Sequence, residues 1–419
     1  MSRIVKKVVA AATLSAATLL PYQAFAQSAA VVCPGYEKGK TQIVGERVGR
    51  KVQTAFEAYN NDQIAESVEI LKDINPKGGY DKAFVDRFLG NILASMDGRG
   101  EEAFNYLTSA VSENLLNDTD QASTLRLLGD LSMQEKKYTE AIKWYDQWMT
   151  YTCKSDPDVY TRITQAYYET GQLDKMVEPA DKAIALYEEP NKNPYVLKLT
   201  SYYERKMYPQ TVDVAETLVK LFPDNKQWWT QLGFFYMLVE DFAKALSTFE
   251  ISYNNGYLTK ESEIKALAQL YATMEIPHKS AMIQEKYMKE GLIKRDEASL
   301  AALANTLHQA RDHKKAAMYY GEAAKVSSDP EHYRKQGVLL LAAEDYDGAQ
   351  EALKKALERG VEDEGRVHIA LMEAYFYDGD FRNAYVHVRE ARKDRSTRQS
   401  ANAWEPYIKE KAKNRGITI

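Results

Sequence analysis

The chain has 419 residues, 45% of them hydrophobic and 27% charged, the proportions of a folded globular protein and too apolar for a disordered one. Its 21 glycines and 12 prolines exclude a collagen-like or loop-rich chain, and two cysteines exclude a disulfide-dense scaffold. The formal net charge of −5 offers no electrostatic footprint for a polyanion, so no nucleic-acid partner is expected.

At the N-terminus, Arg3, Lys6 and Lys7 precede an uncharged, mostly apolar stretch from Val8 to Leu20, and Ala24 and Ala26 supply the small residues of a cleavage site. This predicts a secretory signal peptide over residues 1–26, cut after Ala26, and a periplasmic mature chain. The apolar stretch is too short to span a bilayer, which takes about 20 residues, and no later run approaches that length, so no integral membrane segment is expected in the mature chain. Loss of the three cations takes the formal charge from −5 to −8.

Residues 27–47 carry Cys33-Pro34-Gly35 and show no long period, which reads as an N-terminal arm. Cys33 follows Val32 and lies well beyond the apolar stretch, so it does not fit a lipid-acceptor cysteine. In an oxidising compartment a Cys33–Cys153 disulfide is expected, two unpaired thiols being the alternative. Such a bond would tie the arm to the body.

From residue 48 onward the chain repeats itself. The clearest copy reads Trp229, Leu232, Gly233, Tyr236, Phe242, Ala245 and Phe249; another reads Leu125, Leu128, Gly129, Tyr138, Ala141 and Tyr145. Later copies include Tyr333, Gly337, Leu340, Tyr346, Ala349 and Leu353, then Leu371, Tyr375, Gly379, Phe381 and Ala384. Unit starts fall near 122, 157, 192, 226, 261, 297, 330 and 365, with two weaker units near 48 and 83. Apolar residues recur at three and four within each unit, the signature of a helix with one buried face. Glycine or alanine at the eighth position and alanine in the second half predict close approach of two antiparallel helices. The pattern resembles the tetratricopeptide repeat, whose period is about 34 residues. The resemblance implies an all-α fold: a right-handed superhelical solenoid of about ten helix-turn-helix units over residues 48–395. Residues 396–419, with Trp404, Tyr407 and Ile408 among many charges, are expected to form a C-terminal capping helix and tail.

No chemistry-bearing constellation emerges. His308 and His313 are five apart and do not share a helix face, while His278, His332 and His387 have no companion at ligand spacing. His368 occupies the place held by Trp229 in its own unit, which suggests packing. There is no phosphate-cradling glycine loop, and the acidic pair Glu188-Glu189 and the mixed-sign run 389–398 read as solvated surface. No enzymatic activity, metal or cofactor is expected.

What remains is a binding surface. In tetratricopeptide proteins, positions two, five, nine, twelve and thirteen of the first helix line a groove that holds polypeptide. Carried onto this sequence, the resemblance implies Tyr168, Tyr203, Phe234, Met237 and Leu238 as groove residues, together with Lys265, Asn305, His308, Leu341, Phe376 and Tyr377. Arg126, Asp130, Gln165 and Glu204 would add polar contacts. The basic clamp that some members use for a terminal carboxylate is missing as a set, since Lys265 and Asn305 stand in different units.

The stretch Val44-Gly45-Glu46-Arg47-Val48-Gly49-Arg50-Lys51-Val52-Gln53, followed by Ala55-Phe56-Glu57-Ala58-Tyr59, resembles periplasmic tetratricopeptide proteins associated with TonB–ExbB–ExbD systems. That resemblance implies a non-enzymatic scaffold whose groove holds TonB or ExbD components and assists uptake. The alternative is an envelope-assembly factor or a regulator of peptidoglycan enzymes that also acts by binding protein.

Overall fold

The computed structural model describes residues 30–37 and 42–419; the signal-peptide reading of residues 1–26 lies outside them. Among the described residues there are 21 α-helices, one short 3₁₀ segment and no strand. No helix among them is long and apolar enough to cross a membrane. The chain divides into two compact units, one ending at Asn225 and the other running from Lys226 to Ile419.

The first unit holds five hairpins: α1 (Glu46–Asn60) with α2 (Ile64–Lys72), α3 (Gly79–Ala94) with α4 (Gly100–Val111), α5 (Asp118–Gln134) with α6 (Tyr138–Thr152), α7 (Pro157–Glu169) with α8 (Val177–Leu186), and α9 (Lys192–Glu204) with α10 (Tyr208–Leu221). The 3₁₀ segment Leu173–Met176 leads into α8. The second unit holds five more: α11 (Lys226–Leu238) with α12 (Phe242–Asn254), α13 (Glu261–Thr273) with α14 (Pro277–Lys289), α15 (Glu297–Gln309) with α16 (His313–Ser327), α17 (Pro330–Ala342) with α18 (Tyr346–Glu358), and α19 (Glu364–Asp378) with α20 (Phe381–Lys393). A last helix, α21 (Arg398–Asn414), packs on α20 and touches α19.

The α5–α6, α11–α12 and α17–α18 hairpins close tightly because glycine at the eighth position of the first helix leaves no side chain to hold the helices apart. A Cβ on Gly129 would lie 2.5 Å from the Tyr145 ring, on Gly233 2.6 Å from Phe249, and on Gly337 2.5 Å from Leu353. The facing alanines, among them Ala141, Ala245, Ala316, Ala349 and Ala384, are completely buried. Tight packing of rings and branches into those gaps supplies most of each hairpin's stability.

Four turns inside hairpins of the second unit follow one rule. One or two residues past the first helix, the chain adopts the left-handed conformation, at Glu240, Arg311, Glu344 and Gly379. The next residue is an aspartate whose amide donates back to the helix (Asp345 to the Leu340 carbonyl, 2.9 Å), in the manner of a Schellman motif. That aspartate then caps the second helix: Asp241, Asp312, Asp345 and Asp380 accept from the amides of Lys244, Lys315, Gly348 and Asn383. One dipeptide therefore ends one helix and starts the next.

The described residues of the N-terminal arm before Glu46 carry no helix or strand and are fastened at several points. Cys33 and Cys153 form a disulfide with their Cα atoms 5.0 Å apart. The Val32 amide donates to the Thr152 carbonyl (2.9 Å), the Tyr36 hydroxyl to Asp118 (2.6 Å) and the Gly45 amide to Asp81 (2.8 Å).

Candidate interaction surface

In the first unit, the polar residues of the first helices cross-link successive hairpins. Arg126 of α5 donates to Asp156 at the start of α7 (2.6 Å) and lies 5.2 Å from the Trp148 ring centroid. Asp130 of α5 accepts from the Tyr145 hydroxyl (2.7 Å) and pairs with Arg162 of α7 (3.5 Å). Arg87 of α3 pairs with Asp120 of α5 (2.7 Å). Arg126 and Asp130 thus hold structure as well as facing the first-helix surface. Tyr168 and Tyr203 are half-buried, the latter packed against Tyr208 (ring centroids 6.2 Å apart), while Gln165 and Glu204 are exposed. A shallow hollow between the ends of hairpins is lined by Pro157, Leu186, Tyr187, Pro190 and Phe222 beside Glu188 and Glu189.

In the second unit the implied groove residues separate by depth. Phe234 is only 4% exposed and meets Phe249 edge-on (5.1 Å, 86°), so its surface is already spent on its own hairpin. Met237, Leu238 and Leu341 are half-buried. Lys265, Asn305 and His308 are exposed, yet the first two are engaged: Lys265 donates to Ser299 (2.9 Å) and pairs with Glu261 (2.7 Å), and Asn305 accepts from the Tyr320 hydroxyl.

The last hairpin and α21 gather a group of aromatic rings, two of them exposed. Phe376 sits at its centre, with ring centroids 5.5 Å from Tyr377, 5.4 Å from Phe381, and 5.3 Å from both Trp404 and Tyr407. Tyr377 is 55% exposed and stacks on Tyr346 of α18, and Tyr407 is 43% exposed. Between Ile369 and Phe376 on α19 lies Glu373, half-buried, whose carboxyl is held above the usual carboxylate range by burial.

Two histidine contacts escaped the sequence reading because they run across a hairpin instead of along one helix. His368 of α19 and His387 of α20 place their Nδ1 atoms 2.9 Å apart, with Tyr375 stacked on His387 (5.4 Å, 7°). Packing alone therefore understates the role of His368. Burial, the neighbouring His368 and Lys354 push the His387 imidazole down to about 4, and burial lowers His368 as well. His308 and His313 likewise meet across the α15–α16 turn, 5.7 Å between rings. The only signal for either contact was the equivalence of register positions within one repeat. Among the described residues no group of three or more His, Cys, Asp or Glu side chains is arranged to hold a metal ion.

No family model matches the chain, and no curated protein matches it. Solved structures with related helix arrangements include a tetratricopeptide repeat protein from Parabacteroides merdae, 14% identical over 60% of this chain and 98% of that one, with a TM-score of 0.35. The C-terminal part of a tetratricopeptide-repeat-containing protein from Cytophaga hutchinsonii is 14% identical over 66% of this chain and 97% of that one, with a TM-score of 0.37. YrrB, described as a tetratricopeptide protein with an unusual peptide-binding site, is 16% identical over 48% of this chain and 98% of its own, with a TM-score of 0.36. At these identities and scores none of the three lends this chain a role.

Proposed function

We propose that this protein is a non-enzymatic periplasmic scaffold that binds other proteins through the first-helix surfaces of its hairpins, as an accessory component of TonB-dependent energy transduction and uptake. The observation that carries the binding role is the aromatic group around Phe376, where exposed Tyr377 and Tyr407 form a rim over a packed centre and Tyr377 stacks on half-buried Tyr346. Exposed aromatics on a rigid base supply contact area at little entropic cost and are the usual anchors of an interface. The Cys33–Cys153 bond supports an oxidising compartment, and the secretory pattern of residues 1–26 supports export. The TonB assignment rests on the sequence resemblance over residues 44–59.

Photo-crosslinking in living cells tests this reading. With Tyr377→p-benzoylphenylalanine, adducts with TonB, ExbB or ExbD are expected, and the same probe at Val326, exposed on α16, should not give them. Adducts with peptidoglycan enzymes or outer-membrane assembly factors would move the protein to the envelope-assembly reading. Identical adducts from both positions would show that the aromatic surface captures nothing in particular.

A further inference from the structure

The ninth position of the repeat runs through the second unit as Phe234, Gln269, Asn305, Val338 and Glu373, one residue from each first helix. Four of these suit their surroundings. Phe234 is packed away, Gln269 is exposed, Asn305 accepts from Tyr320, and Val338 is apolar. Glu373 is the exception.

Other half-buried carboxylates in this unit have a hydrogen-bonding or ionic partner within the chain, as Asp380 has in Asn383 and Asp394 in the Ser396 amide. Glu285 has Lys315 (3.3 Å), Glu331 has Arg334 (2.5 Å), and Glu405 has Arg392 (2.7 Å) and Lys409 (2.9 Å). Among the described residues, Glu373 has no hydrogen bond and no ion pair. No charged group perturbs it either: burial is the sole cause of its upward shift. Its neighbours one turn away on the same face of α19 are Ile369, Phe376 and Tyr377, all apolar or aromatic. Leu341 of α17 and Trp404 of α21 belong to the same hydrophobic cluster as Ile369 and Phe376. A carboxylate half withdrawn from water in such a wall, with no partner in the chain, suits a cation with an apolar stem. Lysine and arginine have that form, and the rings of Phe376 and Tyr377 add a favourable face for their charge.

We infer that Glu373 receives the basic side chain of a bound polypeptide, whose flanking apolar residues lie on Val338 and Leu341. The inference rests on the proposed reading that the first-helix surface takes polypeptide, and it specifies the chemistry of that partner. The occupant is a segment carrying lysine or arginine between apolar residues, and an acidic segment is rejected by the same carboxylate.

The test is selection of random octapeptides displayed on phage against the disulfide-bonded wild type, Glu373→Gln and Glu373→Lys. Wild type is expected to enrich lysine or arginine at one position with apolar residues around it. Glu373→Gln should keep the apolar preference and lose the basic one, and Glu373→Lys should favour aspartate or glutamate at that position. A synthetic copy of the wild-type consensus should bind about tenfold or more better than its norleucine version, a gap that closes on Glu373→Gln. The same basic consensus from wild type and Glu373→Gln would overturn the assignment of Glu373 while leaving the groove in use. No consensus from any variant would remove the groove reading itself. Circular dichroism checks folding, and if Glu373→Gln is unfolded, Glu373→Asp replaces it and should retain the basic preference with weaker binding.

Discussion

Gly233 and Phe234 are adjacent in α11 and show how differently single positions of one repeat are used. Gly233 is a gap filled by the Phe249 ring, so Gly233→Ala sets a methyl 2.6 Å from that ring, and backbone or ring must move. Overpacking of this kind costs about 1–3 kcal/mol, which urea unfolding would record as a lower midpoint at unchanged slope. Phe234, edge-on to the same ring, should cost about 3–5 kcal/mol as Phe234→Ala. Tyr377→Ala, at an exposed site, should stay within about 0.5 kcal/mol while weakening partner capture. A Tyr377→Ala variant as unstable as Phe234→Ala would mark Tyr377 as core. The repeat register named both residues as groove candidates, because register fixes which neighbours a side chain meets. It does not fix burial depth, which depends on the summed volume of several hairpins' side chains. Glu373 escaped for a related reason: a glutamate among apolar residues stands out only once the packed structure leaves it half-buried without a hydrogen bond or ion pair.

Helices and turns were far more legible than the site. The 3.6-residue period and the glycine or alanine at the eighth position of several first helices are local signals that agree with one another, and the long spacing fixes the pairing of helices. The left-handed residue of each turn was not legible, because glutamate, arginine and glycine all occupy it. Glu344 sits there at φ 61° with a side chain that disfavours the conformation. Glu344→Gly is therefore expected to raise the thermal midpoint by a degree or two, and Asp345→Ala, which removes the cap on α18, to cost about 1 kcal/mol. Helix pairing also creates the His368–His387 contact, and with it a pH dependence. Above about pH 6.5 both rings are neutral whether folded or unfolded, so they add no slope. Below it the unfolded chain takes up protons that His387 refuses until about 4, so stability falls as pH drops through that window. Glu364, Glu390 and Lys393 surround the pair, and the two glutamates soften the shift at His368 without reversing it. Urea midpoints between pH 7.5 and 4.5 should decline less steeply for His387→Leu than for wild type, and equal slopes would clear the pair of any part in acid sensitivity.

At the scale of the molecule, the disulfide and the division into two units make a joint prediction. The Cys33–Cys153 bond spans a sequence separation of 120 and lies wholly within the unit that ends at Asn225. On the loop-entropy model, closing a loop of that size stabilises by up to about 4–5 kcal/mol, and the effect belongs to the hairpins the loop encloses, α1 to α6. Hairpin arrays transmit stability mainly between neighbours, so the benefit should fade with distance along the stack. Reduction also releases the arm, whose remaining ties are the hydrogen bonds of Val32, Tyr36 and Gly45. Hydrogen exchange read by mass spectrometry, with and without a thiol reductant, resolves the effect by segment. Protection should drop most in α5 and α6, less in α1 to α4, and not at all in α15 to α20. Cys153→Ser should reproduce the pattern without reductant. A uniform loss of protection through both units would mean that they unfold as one cooperative body, contrary to this prediction.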